Sequence, residues 1–201
     1  IDRAVAAARR AFPAWAAMSP SDRGVLIGRL ADAIEKDRDN LSLIESLDTG
    51  HPIRDTRNLD VMRTVATFRY FAGMPDKNEG TVIPVDTGFL NYVTRVPVGV
   101  VGQVVPWNFP LMFTSWKMGP ALAAGNTIVL KPAEITPLSS LRIAELMAEV
   151  GIPAGVVNIV CGYGPIVGEE LASNPLIGMV TVTGSIRTGT RVMELAAPNI
   201  T

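Results

Sequence analysis

The segment PWNFP, residues 106–110, places a single amide side chain, Asn108, between two aromatic residues and two prolines. It directly follows an apolar run, where an ordinary turn would use Gly, Asp or Ser. The NH2 group of asparagine donates hydrogen bonds, whereas an ionised aspartate only accepts them. Asn108 therefore offers a donor where a buried strand ends, or its amide oxygen caps a helix that begins at Pro110. Both roles can hold together, because the oxygen and the NH2 group can face different partners.

Residues that can bind a nucleotide follow the other apolar runs in the second half of the chain. Lys131 and Glu134 stand after one run, and a carboxylate there can accept hydrogen bonds from ribose hydroxyls. Gly164 follows another run and lets the backbone come close to a ligand. Gly184 and Ser185 stand at the start of a helical pattern, so they offer free N–H groups and a hydroxyl to a phosphate.

Each of these features also has an explanation that involves no ligand. Glycines close tight turns between strands and helices, and no GxGxxG motif follows any of the runs. Lys131 can simply be solvated, and Glu134 can stand near the start of a helix because the helix dipole favours a negative charge there. The ligand-binding interpretation therefore depends on the loops lying together in the fold.

The second half of the chain alternates between short apolar runs and helical patterns. The runs lack polar alternation, which is typical of strands covered on both faces. Repeated strand–helix units predict a parallel sheet, and ligands of such sheets bind at the carboxyl ends of the strands. The predicted strands are VGVVGQVV, NTIVLK, GVVNIVC and GMVTVT. The predicted helices cover residues 111–124, 137–150, 165–173 and 188–196, and Thr136 is the predicted N-cap of the second of them.

The first half is predicted to be helical, with a strand pair before the alternating region. After an amphipathic first helix, the pattern predicts a second helix over residues 19–50 and a third over residues 53–72. Residues 81–96 are rich in β-branched and aromatic side chains, which indicates a hairpin or strand pair. The predicted fold is α/β, with a Rossmann-like open parallel sheet covered by helices on both faces. The predicted parts are a helical region (1–80), a strand pair (81–97) and a cofactor-binding core (98–201).

Composition and charge exclude several functional classes. The 201 residues are 48% hydrophobic and 18% charged with a net charge of −1, which gives no electrostatic support to a nucleic-acid or membrane partner. Charged residues interrupt every apolar run before it could span a bilayer. A single cysteine excludes an internal disulfide and fits a reducing compartment, so we expect a cytoplasmic protein. One histidine and one cysteine offer no cluster for a metal.

Several motifs in the chain resemble those of the aldehyde dehydrogenase superfamily. PWNFP, KPAE and TGSxxxG occur here in that order, and together they are highly specific. The resemblance covers nearly the whole chain, and the other segments that carry it are AVAAARRAFPAWAAMSPSDRG, LDTGHPI, RVPVGVVGQV and GIPAGVVNIVCGYG.

The resemblance implies NAD(P)-dependent oxidation of an aldehyde to a carboxylic acid. Asn108 would donate its amide to the oxyanion that forms when a cysteine thiolate attacks the aldehyde, and Glu134 would favour NAD over NADP. Phe109, Phe113 and Trp116 would line the substrate tunnel. The cofactor-binding residues would be Pro106, Trp107, Lys131, Ala133, Glu134, Gly164, Gly168, Thr183, Gly184, Ser185 and Thr188.

Two conspicuous residues are predicted to take no part in catalysis. Cys161 ends an apolar run, and the family's nucleophilic cysteine and general-base glutamate both lie downstream of the TGS motif. We therefore expect Cys161 to be a small residue of the apolar core. His51 stands where the family usually has lysine, and we expect it in a surface turn far from the strand ends. Because the chain begins with Ile and ends before those two catalytic residues, we expect an amino-terminal piece of a longer enzyme.

Two functions are compatible with these residues. The first is an NAD-dependent aldehyde dehydrogenase to which this chain contributes the cofactor site and Asn108. The second is a non-catalytic member of the same fold that binds a nucleotide or has a structural role. The expected partners are a small aldehyde and further copies of the chain in a homodimer or homotetramer. The edges of the strand pair need covering, and the family uses this region for subunit contacts.

Overall fold

The computed structural model describes residues 1–201, and none of its helices is both long enough and apolar enough to cross a membrane. The strands are β1 (Thr81–Ile83), β2 (Asn91–Val93), β3 (Val100–Val104), β4 (Thr127–Lys131), β5 (Val157–Ile159) and β6 (Met179–Val182). The α-helices are α1 (Asp2–Ala17), α2 (Pro20–Lys36), α3 (Arg38–Thr49), α4 (Ile53–Asp55), α5 (Val61–Ala72), α6 (Pro110–Ala123), α7 (Leu138–Glu149), α8 (Glu169–Ser173) and α9 (Ile186–Ala196). Single π-helical turns lie at Thr56–Asp60 and Gly164–Gly168, and 3-10 turns at Pro75–Lys77 and Ala197–Asn199.

Four strands form one parallel sheet in the order β5–β4–β3–β6, which confirms the predicted fold class. Strand β3 lies between β4 and β6, and Val104 is paired with Lys131 on one side and with Val182 on the other. Because all four strands run in the same direction, their carboxyl ends meet at one edge. The loops that follow β3, β4, β5 and β6 therefore come together there, as the sequence predicts.

Helices cover both faces of the sheet. On one face, side chains of β4 such as Ile128 and Leu130 pack with helices α2, α5, α6 and α7 in a core of 22 buried residues. On the other face, Val100 and Val129 pack with residues of α1 and α8 in a core of six. Successive side chains of a strand point to opposite faces, so β4 contributes to both cores. This accounts for the three consecutive apolar residues at its centre, Ile128, Val129 and Leu130.

The strand pair β1–β2 extends away from both cores. It is antiparallel, with Val82 opposite Tyr92, and Asp86 and Gly88 lie in the turn between its strands. Every residue of 81–96 is exposed, although several are large and apolar. The pair therefore stands apart from the rest of the chain.

The helix predicted over residues 19–50 is two helices, so that expectation is wrong. The break lies at Asp37, which ends α2 and precedes α3. The guanidinium of Arg142 on α7 donates to both carboxylate oxygens of Asp37, with distances of 2.9 and 3.1 Å. An ion pair to a distant helix thus accompanies the break, and no local sequence pattern announces such a contact.

The predicted cap of helix α7 is also wrong. Thr136 is not the N-cap, because the helix begins at Leu138 with Pro137 as its N-cap residue. The Thr136 hydroxyl is buried without a hydrogen-bond partner. Instead, Oδ2 of Asp48 on α3 accepts the Leu138 N–H at 2.9 Å. A carboxylate from another helix therefore caps α7 in place of the predicted local threonine.

Candidate functional site

A cleft of about 800 Å³ lies at the carboxyl edge of the sheet, and ten of the eleven residues predicted to bind a cofactor line it. Its volume is within the usual range for small-molecule sites. Ala133 is the exception, since it is buried and does not line the cleft. The ten lining residues are Pro106, Trp107, Lys131, Glu134, Gly164, Gly168, Thr183, Gly184, Ser185 and Thr188.

Lys131 and Glu134 form an ion pair on the wall of the cleft. The Lys131 Nζ donates to Glu134 Oε2 at 3.0 Å and to the carbonyl oxygen of Pro132 at 3.0 Å. The lysine side chain is 3% exposed, whereas that of the glutamate is 41% exposed. The backbone N–H of Glu134 itself has the largest effect on the pKa of the Glu134 carboxyl and lowers it; burial opposes this, and the Lys131 ammonium and the Gly164 N–H lower the pKa further. Glu134 therefore presents an ionised oxygen to the cleft.

The glycines after β5 serve different purposes. Gly162 has φ near +150°, and a side chain there would collide with Val167, so the turn itself requires glycine. Gly164 has no such requirement, because a Cβ atom at that position would meet nothing within 4 Å. Gly164 is also a lining residue of the cleft. Tight-turn geometry thus explains Gly162, and room for a ligand is the remaining reason for Gly164.

The turn after β6 leads directly into helix α9. The Ser185 hydroxyl caps this helix, because its Oγ accepts the Thr188 N–H at 3.2 Å. The same Oγ lies 3.0 Å from the Thr188 hydroxyl oxygen. Gly184 and Ser185 are both exposed at the start of the helix, where backbone N–H groups and the helix dipole favour an anion.

Asn108 is exposed beside the cleft, directly after the lining residues Pro106 and Trp107. The alternative role of Asn108 as a helix cap is wrong. The N-cap residue of α6 is Phe109, and no side chain of the turn makes a cap hydrogen bond. The Leu111 N–H donates instead to Oε1 of Glu45 at 3.3 Å. The Asn108 amide is thus left free for another partner.

Glu45 is completely buried between helix α3 and the first turn of α6. Its carboxyl has a pKa raised to about 7, mainly by burial and to a smaller extent by the nearby carboxylate of Asp60. The Ser139 hydroxyl, the Leu111 N–H and His51 act in the opposite direction. A buried carboxyl of this kind was not predicted, because a glutamate in an amphipathic helix is usually exposed.

His51 lies in the connection between α3 and α4, as predicted, but its side chain has partners that the prediction did not include. Its ring packs against Phe109 with a centroid distance of 4.9 Å, and its side chain is only 26% exposed. Its Nδ1 lies 2.9 Å from Oδ2 of Asp60, whose carboxylate is buried. The helical turns after Pro52 bring Asp60 back beside His51, which the spacing in the sequence did not reveal.

The three aromatic residues of the predicted tunnel lie in two different parts of the structure. Phe113 and Trp116 pack edge to face at 5.1 Å and line a second hollow of about 430 Å³ between α6 and the sheet. Phe109 does not line that hollow, since it packs on His51. Thr183 lines both the hollow and the larger cleft. The residue that follows β6 therefore borders both cavities.

Lys117 is a candidate functional residue that our sequence analysis missed. It lies on α6 in the aromatic hollow, and its Nζ donates to Oγ1 of Thr181 at 2.9 Å. Burial lowers the pKa of its ammonium to about 8. The available signal was a single lysine in the apolar segment LMFTSWKMGPALA, where a solvated side chain is out of place.

Cys161 is exposed, so its predicted place in the apolar core is wrong. Strand β5 ends at Ile159, and the chain has already left the sheet when it reaches Cys161. Partial burial nevertheless raises the pKa of the thiol, and the Lys131 charge opposes that only in part. A raised pKa keeps the sulfur protonated, which is the opposite of what activates a nucleophile.

The profile of the aldehyde dehydrogenase family matches residues 1–201 of this chain. The mitochondrial aldehyde dehydrogenase of Homo sapiens is 48% identical to it over 200 residues, which are 98% of this chain and 38% of that protein. Retinal dehydrogenase 2 of Homo sapiens is 46% identical over 199 residues, which are 98% of this chain and 38% of that protein. The chain thus spans about two fifths of the length of these relatives.

Solved structures share the fold closely. The structure of PnpE in complex with nicotinamide adenine dinucleotide has a TM-score of 0.98 and is 65% identical, covering 99% of this chain and 41% of that one. The NAD+ complex of aldehyde dehydrogenase from Bacillus cereus has a TM-score of 0.97 and is 49% identical, with the same coverage of both chains. At these identities the sheet and the loops at its carboxyl edge are comparable among the three proteins.

Proposed function

Because the chain belongs to the aldehyde dehydrogenase family, we propose that it forms the cofactor-binding part of an enzyme that oxidises an aldehyde to a carboxylic acid with NAD. The observation that carries the proposal is the single cleft shared by ten predicted cofactor residues, directly beside Asn108. Two of the similar structures hold NAD, which supports the same use of this cleft here.

The residues of the cleft fit an adenine dinucleotide. The Glu134 carboxylate can accept hydrogen bonds from ribose hydroxyls, and the buried Lys131 fixes its position. Gly184 and Ser185 offer the start of α9 to the pyrophosphate, and the space beside Gly164 leaves room for the adenosine end. NAD bound there would accept the hydride that leaves the aldehyde carbon.

The charges of the cleft favour NAD over NADP. The ionised Glu134 repels a phosphate on the ribose 2′-oxygen. Two arginines, Arg187 and Arg191, line the same cleft and could attract that phosphate. Arg191 is already paired with Glu169, at 2.6 Å from Nη2 to Oε2. Because the proposed ribose hydroxyls bond to Glu134, a phosphate on the 2′-oxygen would lie beside this carboxylate, which sets the preference.

Asn108 stabilises the oxyanion of the reaction. When a cysteine thiolate bonds to the aldehyde carbon, the π electrons of the carbonyl move to the oxygen, and the Asn108 NH2 donates a hydrogen bond to it. A fixed donor of this kind contributes roughly 3 to 4 kcal/mol to the transition state. We place the thiolate and the general base in the remainder of the protein, since this chain covers about two fifths of its relatives and Cys161 is not activated.

The cofactor preference is tested by titrating NAD and NADP separately into the full-length protein. We expect wild type to bind NAD more tightly than NADP. Glu134→Ser should reduce the ratio of the two affinities about tenfold, which corresponds to about 1.4 kcal/mol. The matched control is Glu79→Ser, because Glu79 is exposed and outside the cleft. Tighter binding of NADP than of NAD by wild type would overturn the assignment of Glu134.

The activity is tested by following NADH formation from a panel of short aliphatic and aromatic aldehydes. We expect NADH and the carboxylic acid in equal amounts, since each oxidised aldehyde gives one hydride to NAD. A full-length protein that binds NAD but oxidises none of these aldehydes would favour the non-catalytic alternative.

We further propose that the enzyme is a homodimer or homotetramer. The exposed pair β1–β2 carries unpaired strand edges and large apolar side chains such as Phe89, Leu90 and Tyr92. Strand edges of this kind are usually covered in soluble assemblies. Sedimentation of the full-length protein at micromolar concentration is expected to give a dimer or tetramer, and a monomer would contradict the proposal.

A further inference from the structure

Helix α3 supplies the missing caps of two helices that begin at the carboxyl edge of the sheet. Glu45 Oε1 accepts the Leu111 N–H of α6 at 3.3 Å, and Asp48 Oδ2 accepts the Leu138 N–H of α7 at 2.9 Å. Neither helix has a cap from its own preceding residues. The first turn of a helix leaves N–H groups unpaired, so a carboxylate from outside fixes where that turn lies.

The turn that carries Asn108 is also held by His51. The imidazole packs on the ring of Phe109, the residue next to Asn108, at a centroid distance of 4.9 Å. Asp60 orients that imidazole through the 2.9 Å contact to Nδ1. The backbone of His51 is held too, because the Ser46 hydroxyl donates to its carbonyl oxygen at 2.6 Å.

We propose that Glu45 and His51 are positioning residues for Asn108. Glu45 anchors the chain three residues after Asn108, and His51 anchors the residue immediately after it. Both anchors come from residues 45–60, which contribute nothing to the lining of the cofactor cleft. The proposal rests on the proposed oxyanion role of Asn108, since a donor must be held in place before the charge develops.

The geometry makes a prediction about which chemical property of Glu45 matters. Burial and the nearby Asp60 carboxylate oppose the ionisation of Glu45, and they outweigh the Ser139 hydroxyl, the Leu111 N–H and His51, which favour it. A carboxyl oxygen accepts the Leu111 N–H whether or not the group carries a proton. An amide oxygen can do the same. Glutamine should therefore replace Glu45 in its positioning role, and leucine of similar size should not.

The test uses the full-length enzyme with four variants, Glu45→Gln, Glu45→Leu, Asp48→Asn and Asp48→Leu. We expect Glu45→Leu to lose at least about tenfold in the rate of hydride transfer with NAD affinity within about twofold, and Glu45→Gln to stay within about threefold of wild type. Asp48 is the matched control, because it makes the same kind of bond from the same helix to α7. The rate of hydride transfer in both Asp48 variants should stay within about twofold of wild type, even where the substitution lowers the melting temperature.

A double-mutant cycle separates positioning from a general loss of structure. In the Asn108→Ala background, Glu45→Leu should lower the rate little further, since the donor that it positions is gone. Three results would each overturn the inference. The first is that Glu45→Leu lowers the rate equally in both backgrounds, and the second is that Asp48→Leu lowers it as much as Glu45→Leu does. The third is that Glu45→Gln is as slow as Glu45→Leu. If Glu45→Leu does not fold, His51→Ala is measured in the same cycle with the same expectation. Full activity of Asn108→Ala itself would instead refute the oxyanion role of Asn108 on which the inference rests, and leave the proposed aldehyde oxidation standing.

Discussion

The turn after β3 and the turn after β6 lie at the same edge of the sheet but are held in different ways. Asn108 in the first turn makes no cap for its own helix, and distant residues, Glu45 and His51, hold the chain around it. Ser185 in the second turn caps its own helix through the Thr188 N–H, three residues away. One turn depends on buried groups of the amino-terminal helices, and the other depends on its own sequence.

This difference matches what each turn is proposed to do. A donor stabilises an oxyanion well only if it already points at the position where charge develops. Contacts from outside the turn can fix the donor in that position. A pyrophosphate is charged before it binds, and backbone N–H groups at a helix start meet it without further arrangement. For these two turns, support from distant residues goes with the proposed catalytic role, and local capping goes with the proposed binding of pyrophosphate.

Removing the donor of the first turn should have the largest effect. Asn108→Ala in the full-length enzyme is expected to lower kcat by roughly 100- to 1000-fold, because about 3 to 4 kcal/mol of oxyanion stabilisation is lost. NAD affinity, measured by titration, should not change. Asn78→Ala is the control, since Asn78 is exposed and lies outside both cavities. If kcat is unchanged while hydride transfer is shown to limit the rate, the turn after β3 has no catalytic role that distinguishes it from the turn after β6.

The comparison also explains which parts of the site could be predicted from the sequence. PWNFP, KPAE and TGS each lie within a few residues of a strand end, so the parallel sheet alone brings them together. The Glu45–Leu111 and Asp48–Leu138 contacts join residues 66 and 90 positions apart. Such contacts leave no periodic signal, because a glutamate on an amphipathic helix looks the same whether it is solvated or buried.

The errors about single residues have a similar physical origin. His51 was judged by its distance in sequence from the strand ends, but helix α3 ends beside the turn that contains Phe109. Cys161 was assigned to the core because GVVNIVC is apolar throughout, yet hydrogen bonding to β4 ends before it. Hydrophobicity predicted that the strand exists, whereas its end depends on its pairing with the neighbouring strand.

The burial of Glu45 should make stability depend on pH. Its pKa is raised from 4.5 to about 7 in the folded protein, so the folded protein keeps a proton that the unfolded chain releases near pH 4.5. The stability that this group contributes is therefore complete below about pH 4.5 and is lost as the pH rises through about 7. The difference corresponds to at most about 3 kcal/mol.

Glu45→Gln removes this titration while keeping an acceptor for the Leu111 N–H. We expect the melting temperature of the full-length variant to exceed that of wild type at pH 8 and to equal or fall below it at pH 4.5. Asp48→Gln is the comparison, because Asp48 is half-exposed and the rise in its pKa comes from weaker burial. A difference between wild type and Glu45→Gln that does not vary with pH would show that Glu45 does not retain its proton.

The smallest expected effect concerns the locally capped turn, and the chain contains its own control. Ser19 and Ser185 both cap a helix, since the Asp22 N–H donates to the Ser19 Oγ at 3.1 Å as the Thr188 N–H does to Ser185. Replacing either serine with alanine should cost about 1 kcal/mol of stability. Only Ser185→Ala should also weaken NAD binding, by roughly three- to tenfold, because a hydroxyl hydrogen bond to a phosphate is worth about 1 kcal/mol or slightly more. Thermal melts and NAD titrations of both full-length variants measure this. Equal NAD affinities in the two variants would reduce Ser185 to a helix cap and leave the pyrophosphate to the backbone N–H groups alone.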